Sequence, residues 1–538
     1  MSAELLLGDE AVARGAIDEG IGGAFSYPGT PATEIFEYIR SRAANRAERP
    51  GISAIWSTNE KTAYEEALGM SYVGKRALVS MKHVGLNVAA DPFMNSALTG
   101  VNAGMVVVIA DDPGMHSSQN EQDSRFYGDF AKLPMYEPAN QQEAYEMTRE
   151  AFQTSEAIGL PVMMRLVTRL CHSRANVETR ELITRSAADV RRPNPNDWTL
   201  VPVNARRKFQ QLVDLQPELV ERSQRSSFNK LTLGSSRGVL CAGLAYNYVR
   251  EALNGNADVS LLHVGLYPLP VTLIRELVNH CDEILVVEEG YPFIERRLQG
   301  LLGIPGKAIR GKLTGDLPST GELSPDALAQ ALGRPRTQSG LPLTDLAARP
   351  PQLCRGCPHS DSFRALVEAT SIYEDPVLFS DIGCYTLGVL PPFRAVHACL
   401  DMGASISMAL GASRAGKHPV VCTIGDGTFA HSGMTGLISA ARQNANMTVL
   451  ILDNATVAMT GGQLTMTSGE QLLDVLRGLG VDPEHTIVLN PVAKAHKDNV
   501  EAIRREIAYP GLSVVIPQRA CIHSARREKL AAKLQAAS

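Results

Sequence analysis

Cysteine is scarce, with nine residues in a chain of 538. That is too few for a disulfide scaffold, and the reading it supports is a reducing, cytoplasmic compartment in which the thiols stay free. Long apolar runs are missing as well. The longest, such as GMVVVIA at 104–110, have the length of a buried strand and fall short of the roughly 18 residues of a membrane helix. There is no basic excess: Lys plus Arg is 52 against 57 for Asp plus Glu, a net charge of −5. A nucleic-acid binder would carry a basic face or stripe, so neither nucleic acid nor membrane is expected as a partner. The opening MSAELLLGDE is acidic and lacks the basic region and apolar stretch of a secretory leader. No repeat with a period of 20–50 residues recurs. What is present, 44% hydrophobic and 20% charged residues, is the profile of a globular protein with large cores. At roughly 150 residues per domain, the length predicts three to four domains.

Strand-like and helix-like stretches alternate along the chain. That implies parallel sheets covered on both faces, an α/β protein of several doubly wound domains. In the first part, the apolar runs GGAFSY, ISAIWS, RALVSM, GMVVVIA and LPVMMRLV alternate with helical stretches such as TEIFEYIRSR and EKTAYEEALGMSYVG, defining a domain over 1–175. Residues 176–235 are polar and charge-rich and read as a linker with some helix. A smaller α/β domain over 236–335 follows. A Pro/Gly-rich stretch near 303–352 then leads to a third α/β domain at 353–520 and a charged helical tail at 521–538.

The third domain carries the strongest chemical signal. The strand HPVVCTI runs into Gly425-Asp426-Gly427-Thr428, the helical stretch SGMTGLISAARQN follows, and the strand MTVLILD ends at Asp453-Asn454. A right-handed βαβ crossover sets both strands parallel, so Asp426 and Asn454 emerge together at the sheet edge where α/β folds bind ligands. Glycines permit a tight turn and close approach to a phosphate, and the next helix N-terminus favours anions. A carboxylate and an amide oxygen are hard ligands suited to Mg²⁺, which also takes phosphate oxygens. A bare Gly-Asp-Gly is ordinarily a surface turn. Here 25 residues, 428–452, separate it from Asp453-Asn454, with strands on either side and TVAMTGGQ after, which is the pattern of thiamine-diphosphate enzymes. That pattern assigns Gly425, Asp426, Gly427 and Thr428 to the diphosphate, and makes Asp426, Asn454 and the Thr456 carbonyl the Mg²⁺ ligands. The chain's C-x-x-C, Cys354-Arg-Gly-Cys357, reads as metal-binding or redox-active rather than structural.

Further motifs narrow the resemblance. They are Cys354-Arg-Gly-Cys-Pro-His359, Asp-Ile-Gly-Cys384-Tyr-Thr-Leu-Gly, Asp-Met-Gly-Ala-Ser at 401–405, Gly-Asp-Gly-Thr-Phe and Ala-Met-Thr-Gly-Gly-Gln463. In the first domain stand Tyr27-Pro-Gly-Thr-Pro31, Asn59-Glu60-Lys61, Met81-Lys-His-Val-Gly-Leu-Asn87 and the run from Ala110 to Asp123. Together they resemble the alpha subunit of indolepyruvate ferredoxin oxidoreductase, over nearly the whole chain and in the family's order.

The resemblance implies a thiamine-diphosphate-binding fold, with 1–175 as pyrimidine-binding domain, 236–335 as a transketolase C-terminal-like domain and 353–520 as the diphosphate and Mg²⁺ domain. The implied activity is oxidative decarboxylation of an arylpyruvate-type 2-oxoacid, with coenzyme A as co-substrate and electrons passed through an iron–sulfur cluster to ferredoxin or another acceptor. Glu60 matches the glutamate that bonds the cofactor's pyrimidine nitrogen, although a glutamate on a helix after a strand is ordinarily a solvated group. Thr30 sits in the turn placed near substrate and thiazolium, with a structural turn threonine as the plain alternative. His83 either polarises the substrate carbonyl or relays a proton, or is a satisfied half-buried histidine. Cys354, Cys357, Cys384 and Cys521 match the positions that hold one [4Fe–4S] cluster, four thiolates being the usual ligand set. Cys171, Cys241, Cys281, Cys399 and Cys422 read as small buried hydrophobes. The family's alpha subunit usually continues into a ferredoxin-like tail, whereas this sequence ends at Ser538 after SARREKLAAKLQAAS. The expected partners are therefore a small gamma/beta-type oxidoreductase subunit and a separate ferredoxin-like or other electron-accepting subunit, in a dimer of heteromers. Two rival readings stand beside this one. A non-oxidative thiamine-diphosphate decarboxylase or lyase needs Asp426, Asn454 and Glu60 but no cluster, and a catalytically silent scaffold needs none of them.

Overall fold

The computed structural model describes residues 2–44, 51–183, 195–255, 258–335, 347 and 350–537. The chain divides into two compact units, Met1–Pro342 and Leu343–Ser538. Part of the Pro/Gly-rich stretch 303–352 (336–346 and 348–349) and residues 184–194 of the segment 176–235 lie outside the described residues. The α/β architecture expected from the alternating pattern is the one that forms.

The first unit is built on a seven-stranded sheet. Its spatial order is Leu266–Tyr267, Met135–Tyr136, Val162–Val167, Met105–Asp111, Ala77–Lys82, Gly23–Ser26 and Ser53–Trp56. All neighbours pair in parallel except Leu266–Tyr267, which runs antiparallel to Met135–Tyr136. The central strand Met105–Asp111 is buried at every position, because helices cover both faces. A parallel strand of that kind reads as an unbroken apolar run rather than an alternating one. A second sheet orders Ala308–Arg310, Glu283–Val287, Arg237–Ala242, Ser260–Val264 and Lys230–Thr232, with only the last strand antiparallel. Leu266–Tyr267 follows directly from this second sheet and pairs with the first, so the two are stitched within one unit.

The polar segment 176–235 contains ordered elements. Arg174–Thr179 pairs antiparallel with Ser2–Leu7, and Pro202–Arg225 is a 24-residue helix. Few of that helix's side chains are buried, Leu212 and Leu219 among them.

The second unit holds a six-stranded, wholly parallel sheet in the order Ala398–Cys399, Val377–Ser380, Val420–Gly425, Met447–Leu452, Leu512–Pro517 and Thr486–Leu489. Val420–Gly425 and Met447–Leu452 are buried at every position. Their register opposes Gly425 to Leu452, so both strands end together and deliver Asp426 and Asp453-Asn454 to the same edge. The crossover begins with the short helix Asp426–Thr428, widens to a π-helical turn over Phe429–Gly433 and continues as the α-helix Met434–Arg442. Such widened turns concentrate at functional sites. Ile522–Ala537 forms a C-terminal helix. No described helix is long and apolar enough to cross a membrane.

Candidate functional site

In the second unit, Asp426 is buried and its Oδ2 has no hydrogen-bond partner. Burial first, and then the Asp453 carboxylate beside it, push the Asp426 carboxyl well above the usual range. Asn454 is buried, and its Oδ1 accepts from the Thr456 N–H at 3.1 Å. Thr456 lies in a short antiparallel pair with Gln463–Leu464, where its Oγ1 donates to the Gln463 carbonyl at 3.0 Å. Thr428 Oγ1 donates to the Ile382 carbonyl at 3.1 Å. An orphaned carboxylate oxygen with a second carboxylate beside it, at the sheet edge that also carries the Asn454 amide, is the donor chemistry of a hard divalent cation, and Mg²⁺ fits it.

The glycines of the motif act differently from the expected tight turn. Gly425 has φ −77°, an ordinary extended conformation, and Gly427 lies inside the first helical turn. A Cβ on Gly425 would stand 2.7 Å from the Tyr385 ring, so the residue is small because an aromatic packs over it. Tyr385 is itself buried, with its hydroxyl donating to the Ile382 carbonyl at 3.2 Å.

The four cysteines Cys354, Cys357, Cys384 and Cys521 come from separate segments and gather in this unit. Cys354 and Cys357 flank a turn in which Gly356 has φ +81°, a left-handed conformation that a glycine takes without strain. Cys384 opens the 3₁₀ turn Cys384–Val389, and Cys521 precedes the C-terminal helix. Burial, and then the surrounding Cys357, Cys521 and Cys354, push the Cys384 thiol up to about 11. Burial, with Cys354 and Cys521 acting the same way, also raises Cys357. Thiols that disfavour one another's ionisation are relieved by a positively charged iron core, and a [4Fe–4S] cluster fits the donor set. Of the other five, Cys171, Cys241, Cys281 and Cys422 are buried as expected, whereas Cys399 is only half-buried.

Two hydrogen-bonded links join the cysteine cluster to the Asp-Asn turn. The Cys521 N–H donates to the Asn454 carbonyl at 3.1 Å, and the Arg519 N–H donates to the Asp453 carbonyl at 3.0 Å. Arg519 also donates to the Gly356 carbonyl at 2.7 Å, which ties the C-x-x-C turn to the same segment. Asn454 Nδ2 donates to His359 Nε2 at 3.2 Å. Burial and then Arg519 lower His359 to about 4, so the ring is neutral and keeps the lone pair that accepts this bond. His359 stands within the cysteine motif, but no spacing rule points from it to Asn454.

In the first unit the predicted residues collect at the C-terminal edge of the seven-stranded sheet. Glu60 is buried at the start of the helix Glu60–Tyr72, whose N-cap Asn59 accepts from the Thr62 N–H at 2.8 Å. Gly85 gives Glu60 its space, since a Cβ there would lie 2.7 Å from Glu60 Cγ and Oε1. His83 is buried; its Nε2 donates to the Asn120 carbonyl at 3.1 Å, and its Nδ1 has no hydrogen-bond partner. Thr30 is half-buried, and its carbonyl accepts from Ser117 Oγ at 3.3 Å. Lys82 donates to the Ser117 carbonyl at 3.0 Å; burial lowers its pKa against the opposing pull of Asp112 and Glu60. Asp112 stays ionised despite burial, because it accepts from the Ser117 N–H, Thr168 and Ser118. The polar run 116–123 thus supplies the wall that holds Thr30, Lys82 and His83.

Sequence reasoning missed a buried charge network behind this edge. Arg165 pairs with Asp111 at 2.6 Å and with Glu137, and Arg125 pairs with Asp123 and, at 2.9 Å, with Glu288. Both arginines are fully buried.

Comparison with known proteins gives the family. Residues 381–515 match the family described as "Thiamine pyrophosphate enzyme, C-terminal TPP binding domain". Residues 14–216 match "Pyruvate flavodoxin/ferredoxin oxidoreductase, thiamine diP-bdg". Fold and site together define a thiamine-diphosphate-dependent oxidoreductase. The indolepyruvate oxidoreductase subunit IorA of Methanothermobacter thermautotrophicus is 39% identical over 96% of this chain and 87% of its own length. Its counterpart in Archaeoglobus fulgidus is also 39% identical, over 96% of this chain and 86% of that one. The chain belongs to the family of indolepyruvate oxidoreductase IorA subunits. Among solved structures, the 2-oxoglutarate:ferredoxin oxidoreductase from Magnetococcus marinus aligns at 15% identity with a TM-score of 0.48, over 62% of this chain and 65% of that one.

Proposed function

We propose that this chain is the catalytic subunit of a 2-oxoacid oxidoreductase acting on an arylpyruvate of the indolepyruvate type. A 2-oxoacid anion and coenzyme A thiol give an acyl-CoA, carbon dioxide, a proton and two electrons. The electrons leave through one [4Fe–4S] cluster to ferredoxin or another acceptor held by a partner subunit. The observation that carries the reading is the joining of four cysteines to the Asp453-Asn454 turn through the Cys521 N–H, 3.1 Å from the Asn454 carbonyl. Thiamine diphosphate, when bound, supplies the electron sink that decarboxylation of a 2-oxoacid requires.

The residues divide the work. Asp426 Oδ2, Asn454 Oδ1 and the Thr456 carbonyl hold Mg²⁺, and with it the diphosphate, in the domain at 353–520. Glu60, in the domain at 1–175, is the carboxyl that would bond the cofactor's pyrimidine nitrogen. His83 Nδ1 accepts or returns a proton, with its ring fixed from the other side by Asn120. Thr30 orients the substrate from a turn pinned by Ser117. Cys354, Cys357, Cys384 and Cys521 hold the cluster. Arg519, donating to both the Asp361 carboxylate and the Gly356 carbonyl, fixes the C-x-x-C turn.

The test mixes anaerobically purified protein, loaded with thiamine diphosphate and Mg²⁺, with indolepyruvate in the presence and absence of coenzyme A. Bleaching of the cluster absorption, with acyl-CoA formed only when coenzyme A is present, is the expected result. Release of carbon dioxide with an aldehyde product and an unchanged cluster spectrum would assign the chain to non-oxidative decarboxylation instead.

A further inference from the structure

Outside the residues used so far, one group of side chains in the first unit has the makings of a metal site. Asp9, Glu34 and His172 each offer a donor atom, and these atoms all lie within 4.8 Å of one another. Among the described residues, no other group of three or more His, Cys, Asp or Glu side chains meets that condition. The three come from different elements. Asp9 is in the first turn of the helix Gly8–Asp18, Glu34 in the first turn of Thr33–Ala44, and His172 closes the turn Thr168–His172. Gly8 makes the approach possible, since a Cβ there would stand 2.2 Å from the Leu170 carbonyl oxygen.

Two further observations point to a missing ligand. Asp9 has no exposed surface, and no N–H or O–H group donates to either of its carboxyl oxygens. The polar group against it is the Cys171 thiol, a weak donor. Glu34 Oε2 is buried, and its polar neighbour is His172 Nε2, an ion-pair partner at 3.6 Å. That separation is too long for a hydrogen bond. It does suit two ligands of one ion, because donors about 2.0–2.1 Å from a tetrahedral centre stand roughly 3.3–3.4 Å apart. Buried polar atoms are almost always satisfied, so the Asp9 carboxyl, facing a second carboxyl and an imidazole, needs an explanation.

We propose that Asp9, Glu34 and His172 form a binding site for a divalent first-row cation of the zinc type. Two carboxylates neutralise the ion, and a neutral imidazole nitrogen completes a three-ligand set of N and O donors. The His172 and Glu34 side chains, 37% and 39% exposed, give the ion an entry path while Asp9 forms the closed end. The ion cross-links three segments, one of which begins three residues after Thr30, and so fixes the turn Tyr27–Pro31 against the sheet. The site shares no residue with the Mg²⁺ or cluster ligands and stands whether or not the proposed reaction is correct.

The test counts zinc on the full-length chain by equilibrium dialysis and elemental analysis. It uses a Cys354→Ser/Cys357→Ser background, so that cluster thiols do not take the probe. The background is expected to bind one zinc ion that both His172→Ala and Asp9→Asn lose, and its X-ray absorption is expected to show nitrogen and oxygen neighbours without sulfur. Zinc is expected to raise the melting temperature of the background and leave that of the two variants unchanged. Asp9→Asn keeps the shape and removes a carboxyl that burial pushes up to about 8 and so disfavours in the folded chain at neutral pH; its metal-free melting temperature is therefore expected to equal or exceed the background's. That result separates a lost ligand from a damaged fold. Equal zinc stoichiometry in the background and both variants, or a sulfur-only coordination shell, would overturn the proposal.

Discussion

Substituting Gly85 by alanine tests where the Glu60 carboxyl must be. The added Cβ would lie 2.7 Å from Glu60 Cγ and Oε1 and 2.9 Å from Cδ, where ordinary contact begins at 3.4 Å. Glu60 is 5% exposed and sits in the first turn of its helix behind the Asn59 cap, so it has little room to retreat. The carboxyl must therefore move by about 0.7 Å or more. A misplacement of that order costs about 100-fold in rate, equivalent to about 2.7 kcal/mol of barrier. Helix propensity acts in the opposite direction, since alanine favours a helix interior over glycine by about 1 kcal/mol. A loss of activity is thus steric and not a failure of the helix His83–Val88. The assay is exchange of the thiazolium C2 proton for deuterium on bound thiamine diphosphate, read by acid quench and NMR, with cofactor affinity measured in parallel. Gly85→Ala is expected to slow exchange about 100-fold while still binding cofactor, and Glu60→Gln to slow it at least as much. Exchange at the wild-type rate in both variants would refute the role given to Glu60.

Three further predictions follow from the same geometry. Asp426→Asn removes a buried, unpaired carboxylate, so it should raise the melting temperature of the metal-free protein while abolishing the upward shift produced by thiamine diphosphate with Mg²⁺; a retained shift would contradict the Mg²⁺ assignment. Arg165→Met strands Asp111 and Glu137 in the interior and should cost about 3–5 kcal/mol in urea unfolding, against which an unchanged midpoint would count. His263 is buried, stacked on Tyr246, and lowered by burial from 6.5 to about 4. The unfolded chain therefore binds a proton that the folded chain refuses, and stability should fall as pH drops from about 6.5 toward 4. The loss is at most about 3.4 kcal/mol, and His263→Phe should remove the part of it that falls between pH 7 and pH 5 in urea titrations at those two values.

How much of this was legible in the sequence depended on whether the signal was local. Asp426 and Asn454 could be paired because two apolar strands flanking one helix obey a single handedness rule, and the observed register of Gly425 against Leu452 is its direct result. Glu60, Thr30 and His83 each follow a strand, and parallel strands bring their ends to one edge. Other features depend on residues far apart in the chain. Gly425 is glycine because of Tyr385, 40 positions earlier, and Gly85 because of Glu60. Arg165 meets Asp111 and Glu137 across three elements, and a single arginine inside the apolar run LPVMMRLV carries no hint of its partners. Asp9 and His172 meet across more than 160 residues, and neither stands in a metal-ligand spacing. The helix Pro202–Arg225 buries so narrow a stripe that its composition reads as polar chain.

The central claim is that a thiamine-diphosphate site and an iron–sulfur cluster occupy one chain. The most direct measurement is iron and acid-labile sulfide on anaerobically purified protein, with Cys521→Ser alongside. The account predicts about four of each per wild-type chain, as one [4Fe–4S] cluster requires, and fewer in the variant. Iron-free protein that still binds thiamine diphosphate, with Cys354, Cys357, Cys384 and Cys521 all titrating as free thiols, would contradict it.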